Sequence, residues 1–104
     1  MNTYLVYVTT RDTEEARRIG RDLVETHLAA CVNIFDHMNS LYIWQDQFQD
    51  DREAVMIAKT TETQLPALIE AVKARHSYDC PCIVALPIAG GNPDFLGWIA
   101  AQVS

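Results

Sequence analysis

No stretch of the chain stays apolar for the roughly 18 residues that a membrane-spanning helix needs. A basic leader is missing too. MNTYLVYVTT has no positive charge before its short apolar segment, so it reads as a strand and not as a targeting signal. Positive charge is scarce throughout: eight lysines and arginines face fourteen aspartates and glutamates, for a net charge of −6. A field of that sign repels phosphate backbones, so nucleic acid is not expected as a partner, and without a spanning run neither is a membrane. The three cysteines are an odd number without framework spacing, which suits a reducing, cytoplasmic setting. Glycine is limited to four residues, and no glycine-rich loop follows the first apolar run to cradle a phosphate.

What is present fits one globular domain spanning residues 1–104, with 49% apolar and 21% charged residues. Tyr4 to Val8 is a β-branched and aromatic run, hence a strand. Asp12 and Glu15 form a capping box for a helix whose stripe is Ala16, Ile19, Gly20, Leu23, Val24 and Leu28. A second strand spans about Ala30 to Trp44, with a bulge expected near Asp36 because FDHMN is too polar for a buried run. The polar QDQFQDD reads as the turn of a long hairpin, and Ala54 to Lys59 as its returning strand. A second helix covers about Glu62 to Arg75, and a fourth strand Cys82 to Ile88. Asn92 and Pro93 start a terminal helix expected to bury Phe95, Trp98 and Ile99. The order is βαββαβ plus a C-terminal helix, an α+β ferredoxin-like sandwich.

The strands fail to alternate. Leu5 and Tyr7 oppose Val6 and Val8; Val55 and Ile57 oppose Met56 and Ala58; Val84 and Leu86 oppose Ile83 and Ala85. Both faces of the sheet are apolar, yet the helices suffice for one. The second face is covered either by another copy of the chain or by the hairpin and terminal helix folding back. The first reading makes the protein an obligate homo-oligomer.

Chemistry concentrates in HSYDCPC. His76, Cys80 and Cys82 offer one imidazole and two thiols, a soft set suited to copper(I) or zinc. Equally, His76 caps the second helix and the cysteines sit as small apolar residues. A nucleophilic cysteine needs an orienting third residue, and none is evident, so the chain is read as a non-enzyme. Tyr42 and Trp44 alternate with Ser40 on one strand face: either plain sheet surface or the wall of an inter-subunit pocket. Lys59 ends an apolar strand, where it either snorkels or meets an anion at an interface.

LAACVN, SLYIW, MIAKTT, HSYDCPCIVALPI and FLGWI, in this order across Tyr4 to Trp98, resemble the CutA divalent-cation-tolerance family. The resemblance implies a cytoplasmic homotrimer with a long hairpin reaching a neighbour, no catalytic reaction, and tolerance of copper or another divalent ion. It also implies a likeness to trimeric PII-type signalling proteins, and with it a small-molecule sensor as the alternative function. Copper-binding relatives place ligands at positions that read Val8, Arg75 and His76 here, so His76 alone survives. The gain of Cys80 and Cys82 either relocates a copper site to these thiols or leaves the chain without a specific one.

Overall fold

A computed structural model of the chain describes residues 2–104. Its elements are β1 (Thr3–Thr10), α1 (Thr13–Glu25), β2 (Cys31–Trp44), β3 (Gln47–Thr61), α2 (Leu65–Arg75), β4 (Ile83–Pro87) and α3 (Pro93–Gln102). The strands form one antiparallel sheet in the order β2-β3-β1-β4, which is the ferredoxin-like arrangement. No helix among the described residues is long and apolar enough to cross a membrane.

Helix α1 begins as its capping residues dictate. The Glu15 amide donates to Asp12 Oδ1 at 2.8 Å, and the Arg11 amide donates to Glu15 Oε1 at 2.9 Å. It ends in a Schellman turn with His27 at φ 61°, where the Leu28 amide donates to the Leu23 carbonyl. Ala16, Ile19, Gly20 and Leu23 are buried in the cluster that holds Val6, Val8, Met56 and Ala58, with Leu68 and Val72 of α2 closing it. A Cβ at Gly20 would stand 3.0 Å from Val32 Cγ1, so the glycine sets how closely α1 lies on the sheet. Each large aliphatic side chain buried here contributes roughly 1.5–3 kcal/mol.

The pairings Val6↔Ala58 and Val8↔Met56 put one set of side chains under the helices. Leu5, Tyr7, Val84 and Leu86, paired with one another, therefore point to the opposite face. That face stays open: Phe35 is 57% exposed, Val84 50% and Leu86 53%. Helix α3 does not close it. It packs against β3 and β1 and buries Ile99 and Val103 with Ala30. Phe95 and Trp98, expected in the core, remain exposed and stack on each other with ring centroids 5.4 Å apart. The anchors of α3 lie at its other end, where Gln64 Nε2 donates to the Val103 carbonyl at 2.8 Å.

The hairpin is longer than its side chains suggest. Gln45 and Asp46, with φ of 51° and 64°, make a two-residue turn of the I′ kind, and β3 starts at Gln47. The polar segment after it is strand, not loop, paired from Trp44↔Gln47 to Met38↔Glu53. Backbone hydrogen bonds carry this arm beyond the core, so its side chains bear no burial pattern. The bulge lies where it was expected: two residues, Asp36 and His37, oppose one between Phe35↔Val55 and Met38↔Glu53. The arm draws the molecule out to 44 Å against 25 and 22 Å across, with Leu41, Ile43 and Phe48 exposed on it.

Candidate functional site

The bulge decides which side chains reach the open face. Before it, Cys31, Asn33 and Phe35 share that face; after it, Met38, Ser40, Tyr42 and Trp44 do. Across from them on β3 stand Glu53, opposite Met38, and Asp51, opposite Ser40. The segment after α2 crosses the same end of the sheet and brings Tyr78, Asp79, Cys80 and Cys82. With Tyr7 and Thr9 of β1 these residues enclose a cleft of about 730 Å³, a volume in the range of small-molecule sites.

Hydrogen bonds hold the crossing segment in place. His76, the C-cap of α2, sets Nε2 2.7 Å from the Thr9 carbonyl, while its Nδ1 accepts the Tyr78 amide at 3.1 Å. That pattern makes Nδ1 the acceptor and Nε2 the donor to the Thr9 carbonyl. The Ser77 amide donates to Glu15 Oε2 at 2.8 Å, and the Tyr78 hydroxyl donates to Glu53 Oε2 at 2.8 Å. The Glu15 carboxyl is buried, which pushes its pKa up, but the hydrogen bonds from Ser77 and Arg11 outweigh this and hold it below 4.5.

The cleft is acidic. Asp51, Glu53 and Asp79 line it, and no lysine, arginine or histidine among the described residues does. Tyr42 donates to Asp51 Oδ2, and this hydrogen bond raises the phenol to about 12. Burial, then the hydrogen bond to Glu53, pushes the Tyr78 phenol up from 10. Both phenols thus stay protonated as donors while the carboxylates accept.

One cleft therefore brings together Tyr42, Trp44, Cys80 and Cys82, which the sequence suggested for two separate sites. Lys59 is not part of it. It lies on the same face six residues along β3 from Glu53, about 20 Å away. There it donates to Asn33 Oδ1 and sits 3.5 Å from Cys31 Sγ. His76 supports the cleft from behind its wall. Sequence reasoning passed over Glu53, Asp51 and Tyr78. Asp51 fell in the segment expected as a turn, Glu53 lay between that turn and the expected start of the returning strand at Ala54, and Tyr78 was overshadowed by its histidine and cysteine neighbours.

Comparison with known proteins decides the family. The family model described as CutA1 divalent ion tolerance protein matches residues 4–102. The chain belongs to the CutA1 divalent ion tolerance family. The divalent-cation tolerance protein CutA of Thermus thermophilus is 47% identical over 95 residues, which cover 91% of this chain and 92% of that protein. Protein CutA 1, chloroplastic, from Oryza sativa is 45% identical over 95 residues, 91% of this chain. The chain spans only 54% of the rice protein's length. The solved divalent cation tolerance protein (Cut A1) of Thermus thermophilus superposes with a TM-score of 0.95 at 44% identity, covering 98% of this chain and 99% of that one.

A CutA1 chain raises the question of where a cation sits. Within one subunit the residues do not close around one: no three His, Cys, Asp or Glu among the described residues are placed to hold a metal ion. Both ring nitrogens of His76 already have partners, so His76 does not join Cys80 and Cys82 as a ligand in the chain as folded. Of the other two positions that the family likeness marks, Val8 is fully buried in the core and Arg75 pairs with Asp22. Cys80 and Cys82 are both exposed at the cleft.

Proposed function

We propose that the chain is a non-enzymatic cation-tolerance protein. In this reading it works as a homotrimer in which neighbouring copies cover the open sheet face and the hairpin. Each cleft takes copper(I), or a similarly soft ion, on the thiolates of Cys80 and Cys82. One observation carries the reading: the cleft combines two exposed thiols with three carboxylates and no cationic side chain. Such a field concentrates cations at its mouth, and sulfur ligands select soft ones. Trp44 and Leu41, exposed at the rim, lie where a neighbour covering the hairpin would supply the outer wall. Three free thiols favour a cytoplasmic location, which cell fractionation tests.

Competitive titration of copper(I) tests the metal reading. The Cys80→Ser/Cys82→Ser double variant should bind far more weakly than the natural chain. His76→Ala should lose about 1–3 kcal/mol of stability with the smaller effect on affinity, because its nitrogens serve the fold. Metal affinity should also weaken as pH falls and the thiolates protonate. Equal affinity in the double variant and the natural chain defeats the reading.

A second reading, a small-molecule sensor, draws on the cleft's volume, which far exceeds what a bare metal ion fills. Within one subunit Lys59 lies elsewhere on the face, so in a pocket between subunits the Lys59 that meets an anion beside Tyr42 and Trp44 would come from a neighbouring copy.

A further inference from the structure

Glu53 is the least expected residue of the cleft. It is 7% exposed, yet no lysine, arginine or histidine among the described residues lies within ion-pair distance of it. A carboxylate removed from water to this degree is normally matched by a counter-charge. Here Tyr78 donates one neutral hydrogen bond to Oε2 and supplies no charge. Asp51, two residues along β3 on the same face, also has only a phenol, that of Tyr42. Burial and the hydrogen bond to Glu53 hold Tyr78 as the donor, and within one subunit no cationic side chain among the described residues stands in ion-pair contact with the Glu53 carboxyl.

Aromatic side chains form a second part of the lining. Tyr7, Tyr42, Trp44 and Tyr78 bring four rings to the same cavity. Aromatic faces attract cations, and they favour a poorly hydrated organic cation that also carries an apolar body. A small metal ion would use the carboxylates and leave the rings and most of the 730 Å³ without purpose. An alkylammonium group meets both demands. Its N–H donors reach the free acceptor capacity of Glu53 and Asp51, and its hydrocarbon part lies along the rings.

We propose that the cleft is a binding site for a small primary alkylammonium ligand, with Glu53 and Asp51 taking the ammonium and Tyr42, Trp44 and Tyr78 flanking the chain. The inference rests on the carboxylates and rings, not on the thiols, and so stands apart from the metal reading. The ligand class is an amine-bearing metabolite.

The test uses the assembled protein as purified, with no metal added and butylammonium as the probe, read by calorimetry and ligand-observed NMR. Saturable binding is expected that an equal concentration of potassium does not displace. Glu53→Gln should weaken it by about tenfold or more, the loss expected of one charge-assisted hydrogen bond. Trp44→Leu, half exposed within one subunit and outside its core, should also weaken it, and with the assembly checked by sedimentation it decides the matter if Glu53→Gln does not fold. The inference is overturned by absence of saturable binding, by displacement with potassium, or by unchanged affinity in the folded variants. None of these results bears on copper(I) at Cys80 and Cys82, so the two readings fail separately.

Discussion

Tyr78 and Glu53 are joined by a 2.8 Å hydrogen bond that ties the segment after α2 to the middle of β3. The phenol reaches across the sheet end to a carboxylate that has little water. Removing the hydroxyl in Tyr78→Phe leaves that carboxylate without its donor. The expected cost is about 1–3 kcal/mol, measurable by urea denaturation. The raised phenol also sets an alkaline limit. The stabilisation is fully present below the ordinary tyrosine value of 10 and is lost as pH rises through the higher folded value. Unchanged stability in Tyr78→Phe would show that the contact is incidental.

Tyr42 offers a spectroscopic check of the same electrostatics. Its hydrogen bond to Asp51 holds the phenol at about 12. Asp51→Asn removes the negative charge and should return Tyr42 toward 10. An ultraviolet titration of this variant, with Tyr42→Phe as the reference that removes the signal, follows the shift directly. No movement on Asp51→Asn contradicts the proposed polarity of the pair.

Glu15 links the start of α1 to the start of the cleft segment through the amides of Arg11 and Ser77. Truncation in Glu15→Ala leaves two amides without acceptors, at an expected cost of about 2–4 kcal/mol. The pH dependence has a fixed sign. Because the folded carboxyl lies below 4.5, its contribution is present above that pH and is lost as pH falls through the folded value. Glu15→Gln should therefore flatten the acid side of the stability profile. An identical acid limb in the two proteins refutes this.

Leu86 and Val84 lie half exposed on the open face and contact nothing that requires them to be apolar within one chain. Leu86→Glu should be nearly neutral for a lone subunit, within about 0.5 kcal/mol for an open surface position. In an assembly that buries this face it places a charge in an apolar interface. Size-exclusion chromatography should then show dissociation. An unaltered elution volume with an unaltered melting curve means that the face is not buried by a partner copy.

Much of the fold was legible because burial writes itself into sequence. The Asp12 cap, the Ile19 and Leu23 stripe, and the doubled apolar strands Leu5 to Val8 and Val55 to Ala58 each stand in the structure where their periodicity placed them. The failures share one cause. Gln47 to Arg52 extend a strand that no core covers, so pairing and not burial holds them, and their polarity imitated a loop. Phe95 and Trp98 sit on a helix whose anchored end lies elsewhere, so hydrophobicity alone misplaced them. The cleft was legible only in fragments. A single bulged residue moves Tyr42 and Trp44 onto the face of Glu53, and register of that kind has no signature in composition. The grouping of Tyr78 with Glu53 joins residues 25 apart in the chain, a relationship only the fold creates.

Sedimentation of the purified chain at micromolar concentration tests the central claim, that an apolar face uncovered within one subunit is covered by its copies. The account predicts one species at about three times the 11.7 kDa chain mass, with no monomer on dilution through the micromolar range. A stable, monodisperse 11.7 kDa particle that stays folded and soluble would contradict it.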